Sequence, residues 1–239
     1  LVATLAGYGV HCDAVRRGEA ETGVAVILRI DGDNRIVLSA GANGALLPGD
    51  AEAALDELAK ADDVFLTQME CASEATLAAL ASAHRRGMYT IVNVAPPREL
   101  PADAWRDIDL VCVNETECEA ITGINPSDEK SLSSALEALC ALGPFTSVIT
   151  LGGRGSAALS HGEHLRVPAL KVDVQDTTAA GDTFIGVLAA AHVSGLSLGE
   201  AMKWASSAAG ITASRKGAQQ AIPTAVEVDT YLKEVGNEA

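Results

Sequence analysis

Aromatic side chains are scarce in this chain of 239 residues, with Phe, Trp and Tyr together making up 3% of it. Its core must therefore be aliphatic. Hydrophobic residues still reach 48%, alanine is abundant, and that composition suits helices packed closely on a sheet while excluding a disordered chain. Basic residues are also few: Lys and Arg number 17 against 32 Asp and Glu, a formal net charge of −15. So acidic a surface repels nucleic acid and anionic membranes, and neither is expected as a partner. It repels ATP too, so a nucleotide site has to be locally positive, which backbone amides at a helix start achieve without adding charge.

Cys-x-x-Cys pairs are missing. The five cysteines (Cys12, Cys71, Cys112, Cys118 and Cys140) are odd in number and read as reduced thiols of a cytoplasmic protein. His161 and His164 flank Gly162 without cysteine or carboxylate company at ligand spacing, which argues against zinc. The basic pairs Arg16-Arg17 and Arg85-Arg86 read as solvated faces or helix ends. Apolar runs are too short to cross a bilayer, and no basic-then-apolar leader opens the chain. No internal repeat or linker divides it, so one large domain over residues 1–239 is expected. The first residue is Leu1 and Leu1 to Ala6 reads as helix already under way, so the natural N-terminus is expected upstream.

What is present alternates strand and helix. Thr22 to Ile30 and Arg35 to Ser39 flank the turn Asp31-Gly32-Asp33-Asn34, a hairpin over 22–39 that stands outside the alternation and suits a lid over a site. Helix Pro48 to Lys60, strand Asp63 to Thr67 and a Ser73-capped helix to Arg86 follow. Then come strand Tyr89 to Val94, a Pro-rich loop, strand Leu110 to Val113, helix Glu115 to Thr122, helix Asp128 to Leu142 and strand Ser147 to Leu151. Ala157 to Ser160 and His164 to Val167 form a second hairpin. Ser197 and Glu200 have capping-box spacing for a helix to about Ser214, and Ala225 to Val235 closes the series. This order predicts an α/β fold of three layers, a mostly parallel central sheet between helices, with a small β-sheet lid.

The stretch Asp176-Thr177-Thr178-Ala179-Ala180-Gly181-Asp182-Thr183-Phe184 carries the chemistry. Small residues and one carboxylate stand just before the apolar helical run Phe184 to Val193. The first turn of a helix has amides without internal partners and a positive dipole end, which together make an anion hole. Asp182 at its lip suits a proton acceptor, and an anion hole beside a base is what phosphoryl transfer to an alcohol requires. An ordinary strand-to-helix turn is the plain alternative. Asn114 and Glu117 share one face of a helix's first turn, either as a cap with a solvated carboxylate or as part of a site above the sheet. Thr150 to Gly155 reads as a tight turn, Glu70 as a surface carboxylate after a strand, and Asn43 as structural.

This string resembles the C-terminal signature of the ribokinase-like (pfkB) carbohydrate kinases. Ala40 to Asn43, Gln68-Met69-Glu70, Pro96 to Pro101, Asn114 to Glu117, Thr150 to Gly155 and Arg215 to Gln219 match family segments in family order. The resemblance implies ATP-dependent phosphorylation of a sugar's primary hydroxyl, with the 5-hydroxyl of D-ribose first. The alternatives are another sugar or a nucleoside, or a non-catalytic nucleotide-binding relative. By resemblance Asp182 is the base, and the amides of Ala179, Ala180, Gly181 and Asp182 receive the moving phosphoryl group. Thr150, Leu151, Gly152, Gly153, Arg154, Gly155, Gly181 and Ser206 hold ATP with Asn114 and Glu117. Glu117 also orients hydrated Mg²⁺, and Glu70 joins Asp182 at the sugar. A potassium ion is implied at the Asp176 side chain and the carbonyls of Thr178, Thr212, Arg215 and Gly217, with Ala221 where a serine often completes the shell. The family's sugar-gripping early Asp and Gly-Gly segment would precede Leu1, and two copies are expected to pair through the hairpin.

Overall fold

The computed structural model describes residues 1–30 and 33–237, so the Asp31-Gly32 half of the first expected turn lies outside the described residues. Helix α1 (Val2–Gly7) precedes an antiparallel pair, β1 (Val24–Ile30) and β2 (Asp33–Ser39), which forms a two-stranded sheet of its own. Helix α2 (Pro48–Leu58) leads into a six-stranded sheet. Strands β3 (Val64–Thr67), β4 (Tyr89–Asn93), β5 (Leu110–Asn114) and β6 (Thr146–Thr150) pair in parallel in chain order. Strands β7 (Ser156–Ser160) and β8 (Glu163–Val167) extend that sheet antiparallel.

Strands laid down in chain order, joined by right-handed crossovers, put all their connecting helices on one face. That face carries α3 (Ser73–Arg85), α4 (Ala102–Arg106), α5 (Glu115–Thr122) and α6 (Glu129–Leu142). Leu80, Trp105, Cys118, Leu132, Leu136 and Leu139 from these helices and their flanks meet Val92, Val111, Val113, Ile149, Ala157 and Leu159. The alternate residues Ile91, Leu110, Cys112, Val148 and Ala158 turn the other way, onto α7 (Ala180–Val193) and α8 (Leu198–Ala213). The side-chain period of two thus gives both faces a core, each buried Leu, Ile or Val contributing roughly 1.5–3 kcal/mol. Helix α9 (Ala225–Asn237) adds Val228 to a smaller cluster against Ala208 and Ile211 of α8.

Caps set the helix ends. Asp128 starts α6 by accepting from the Ser131 amide at 2.7 Å, and Gly143 ends it. Ser197 starts α8 in the expected capping box with Glu200. Ser73 differs from expectation. It is the first residue inside α3, Ala72 holds the cap position without a side-chain bond, and the Ser73 hydroxyl instead accepts from Arg98 at 2.5 Å. Among the described residues no helix is long and apolar enough to cross a membrane.

Candidate active site

The carboxyl ends of β3 to β6 point the same way, and the loops leaving them form one crevice above the sheet, where ligands of open α/β folds bind. Neighbouring loops are tied to each other. The Met69 amide donates to the Ala95 carbonyl at 2.9 Å, joining the loops after β3 and β4. The Ala72 amide donates to the Asn43 carbonyl at 3.0 Å, which fits the structural reading of Asn43 and fixes the ends of the loop that exposes Glu70.

Helix α7 begins after a turn, as its sequence suggests, and that turn is strained, which the sequence did not mark. Ala179 is left-handed at φ 62, an uncommon conformation for a residue with a Cβ and one that clusters at functional turns. Below it the Thr183 hydroxyl donates to the Ala179 carbonyl at 2.8 Å and lies 3.1 Å from the buried Thr212 hydroxyl of α8. Two helices therefore hold the turn. The amides of Ala179, Gly181 and Asp182 make no hydrogen bond to the described residues and are open to a ligand. Ala180 is a correction: its amide donates to the Thr177 carbonyl at 3.2 Å, so three of the four expected donors remain. The Asp182 side chain is exposed at the lip.

Beside this turn lies a cavity of ≈ 240 Å³. Thr150, Gly152, Gly153 and Gly155 form one wall, Ala180 and Gly181 the end at the start of α7, and Ser206 with Gly210 of α8 another wall. Sequence reasoning did not find the rest of the lining, Ala169, Leu170, Val172 and Val174 from the irregular connection before α7 together with Thr177, Phe184, Ala209 and Ala213. A loop has no hydrophobic period, so nothing local marks it as a pocket wall. The cavity is mostly apolar, as base pockets are. Of the residues expected at ATP, Asn114, Glu117, Leu151 and Arg154 are absent from its lining. Leu151 is 2% exposed and packs in the core against Ile149 and Leu139, since the strand's alternation carries it inward. The Arg154 guanidinium is engaged elsewhere, by the Ser127 and Pro126 carbonyls at 3.0 and 2.7 Å and by Glu115.

Asn114 and Glu117 form the helix cap, but the carboxylate is half-buried and not solvated. Asn114 Oδ1 accepts from the Glu117 amide at 2.8 Å, Glu117 Oε2 accepts from the Asn114 amide at 2.9 Å, and Asn114 Nδ2 donates to Glu117 Oε1 at 2.8 Å. Asn93, unforeseen from sequence, adds its Nδ2 to Glu117 Oε2 at 3.4 Å and to the Cys112 carbonyl at 2.9 Å. Burial holds the Glu117 carboxyl above the usual carboxylate range, against the pull of these hydrogen bonds, and the nearby Asp182 carboxylate pushes it the same way as burial. Two carboxylates facing one crevice suit a hydrated divalent cation, which favours oxygen ligands and keeps several waters. Beneath them burial pushes the Cys112 thiol up to about 12.

Asp176 bridges two loops. Its Oδ1 accepts from the Thr178 amide at 3.0 Å and the Thr178 hydroxyl at 2.6 Å, and its Oδ2 from the Gly217 amide at 3.2 Å. Of the residues expected around a monovalent cation, Asp176, Thr178 and Gly217 are joined in this way, linking the turn before α7 to the loop after α8. Ala221, at 1% exposure, sits in the short helical turn that follows.

An anion-binding helix start, a carboxylate at its lip and an adjoining apolar pocket together define a phosphoryl-transfer enzyme using a nucleotide. Residues 1–225 match the pfkB family of carbohydrate kinases, and the chain belongs to that family. It is 35% identical over 217 residues to the ribokinase of Staphylococcus aureus, covering 90% of this chain and 71% of that protein. It is 38% identical over 214 residues to the bifunctional ribokinase/ribose-5-phosphate isomerase A of Fructilactobacillus sanfranciscensis, covering 89% of this chain and 39% of that longer one. The solved Arabidopsis thaliana ribokinase complexed with ribose and ATP superposes with a TM-score of 0.80 at 28% identity, over 90% of this chain and 70% of that one.

Proposed function

We propose that this protein transfers the γ-phosphoryl group of ATP to the 5-hydroxyl of D-ribose. The observation that carries the reading is the α7 start, where open amides of Gly181 and Asp182 adjoin the exposed Asp182 carboxylate at the end of an apolar cavity. The likeness to ribokinases supports the choice of sugar. Asp182 takes the proton as the alcohol attacks, a role that contributes roughly 10² to 10⁴ in rate. The amides of Ala179, Gly181 and Asp182 stabilise the charge on the moving group, each such donor being worth about 10² to 10³. The base sits in the apolar cavity beside Gly152, Gly153, Gly155 and Ser206. Glu70 accepts hydrogen bonds from the sugar hydroxyls.

Glu117 would hold Mg²⁺ through water, and the ion would supply charge neutralisation on the phosphates. Asn114 and Asn93 keep the Glu117 carboxylate turned toward it. Asp176 with the carbonyls of Thr178, Thr212, Arg215 and Gly217 would hold K⁺, whose charge offsets that of Asp176 beneath the anion hole. The reading places the enzyme in the cytoplasm and pairs two copies through the β1–β2 sheet. ADP release measured across ribose, deoxyribose, fructose and a nucleoside tests it. Ribose is expected to give the highest kcat/KM. Another sugar in first place, or ATP binding without sugar-dependent ADP release, would overturn it.

A further inference from the structure

Gly152, Gly153 and Gly155 line one wall of the cavity, and in the turn they make after β6 only Arg154 carries a side chain. Glycine loses the most backbone freedom on ordering, so such a turn does not hold its shape by itself. Its own backbone bonds are few: the Leu151 amide to the Gly155 carbonyl at 2.7 Å, Arg154 to Leu151 at 2.9 Å and Gly155 to Gly152 at 3.0 Å. The turn's one side chain belongs to Arg154, which is absent from the lining of that cavity and borders the more open pocket beside it, along Pro168 to Val172. One guanidinium nitrogen donates to the Ser127 carbonyl at 3.0 Å, and the other donates to the Pro126 carbonyl at 2.7 Å and to the Glu115 carboxylate. Glu115 is the first residue of α5, directly after Asn114 and two before Glu117. Pro126 and Ser127 lie in the loop from α5 to α6.

We propose that Arg154 is a positioning residue that never touches the nucleotide. It braces the glycine turn after β6 against the helix after β5, so that the base pocket and the Asn114–Glu117 cap keep one relative placement. β5 and β6 are neighbours in register at Asn114 and Thr150, so the brace spans the gap between two adjacent strand ends. A lone exposed ion pair would hold little. A planar fork gripping two carbonyls and a carboxylate fixes direction as well as distance, and a lysine cannot copy it because it has a single donating centre.

The inference rests on the kinase reading, and calorimetry with ATP and with adenosine separates the two. Arg154→Ala is expected to weaken ATP and adenosine by the same factor, about tenfold, because the pocket wall loosens while no phosphate contact is lost. The KM for ATP should rise with it, the KM for the sugar should stay, and kcat at saturating ATP should change less than KM. Arg154→Lys should restore part of the affinity. Glu115→Gln should weaken ATP by a smaller factor, and adding it to Arg154→Ala should cost nothing further, since both act through one joint. Three results would overturn the brace: unchanged ATP affinity in Arg154→Ala with only a lower Tm, a loss confined to ATP and absent with adenosine, or effects of the two substitutions that multiply. If the unsubstituted protein binds neither ATP nor adenosine, the kinase reading fails first and the brace with it.

Discussion

Single atoms decide the chemistry of this site. Asp182 stands at the third position of α7 with its amide open and its carboxylate exposed, so replacing that carboxylate leaves the helix and the cavity in place. Asp182→Asn should therefore bind ATP with nearly wild-type affinity while kcat falls by about 10² to 10⁴, the range for a lost general base. Parallel calorimetry and steady-state rates check this, and normal turnover would remove Asp182 from the mechanism. Gly155, at φ 90, lies so close to the end of β8 that a Cβ would stand 2.1 Å from the Val167 carbonyl oxygen. Gly210 of α8 is equally crowded: an added Cβ would meet Leu170 Cβ at 2.6 Å, and both residues line the cavity. In Gly210→Ala the helix gains about 1 kcal/mol of propensity, but overpacking costs roughly 1–3 kcal/mol and drives Leu170 off its seat. ATP affinity should fall about tenfold, while denaturant melts show a net loss near 1 kcal/mol, the difference of those two terms. Unaltered ATP affinity would mean that Leu170 does not shape the base pocket.

Helix caps hold the walls together at the next scale. Helix α8 supplies Ser206, Gly210 and Ala213 to the cavity, and its start rests on Ser197 and Glu200. The Ser197 hydroxyl and amide both donate to the Glu200 carboxylate, and they hold its pKa below the ordinary carboxylate value of 4.5. A carboxylate with a lowered folded pKa stabilises above its unfolded pKa, and that contribution is lost as pH falls through the folded value. Tm measured against pH should thus show Glu200→Gln melting below the wild type at neutral pH, with the gap closing below about pH 4.5. A gap that persists at acid pH would assign the effect to packing and not to charge. This cap was legible in the sequence because Ser-x-x-Glu before an apolar run is a local pattern, as were the Asn114 and Asp128 starts. Alternating apolar strands likewise announced the parallel sheet. Helix α4, five residues long, was not legible, because so short a segment completes hardly more than one turn and shows no period. Nor was the displacement of the α3 cap to Ala72, where Ser73 instead serves Arg98 across the loop. The string from Asp176 to Asp182 pointed to open amides at a helix start, but the diversion of the Ala180 amide to Thr177 depends on the left-handed turn at Ala179, which no residue preference for alanine would suggest.

Across the whole molecule the site works against its own surroundings. A formal charge of −15 faces a nucleotide that is itself negative, and in the proposed reading the attraction that seats the phosphates comes from open amides at one helix start. Dipoles of that kind act within the first turn, whereas the repulsion of the whole surface reaches over the Debye length, about 8 Å at physiological ionic strength. Salt therefore screens the unfavourable part first and leaves the short-range amide contacts almost untouched. This reverses the behaviour of sites built from lysine and arginine, where salt weakens anion binding. With Mg²⁺ and K⁺ fixed, raising tetramethylammonium chloride from about 20 to about 200 mM should lower the KM for ATP severalfold and leave that for an uncharged sugar unchanged. A bulky organic cation is needed because Na⁺ or added K⁺ would also compete at the cation site proposed for the loops joined by Asp176. If the KM for ATP instead rose with this salt, phosphate binding would depend on long-range positive charge. The amide cluster at the start of α7 would then not be the main source of affinity for the phosphates.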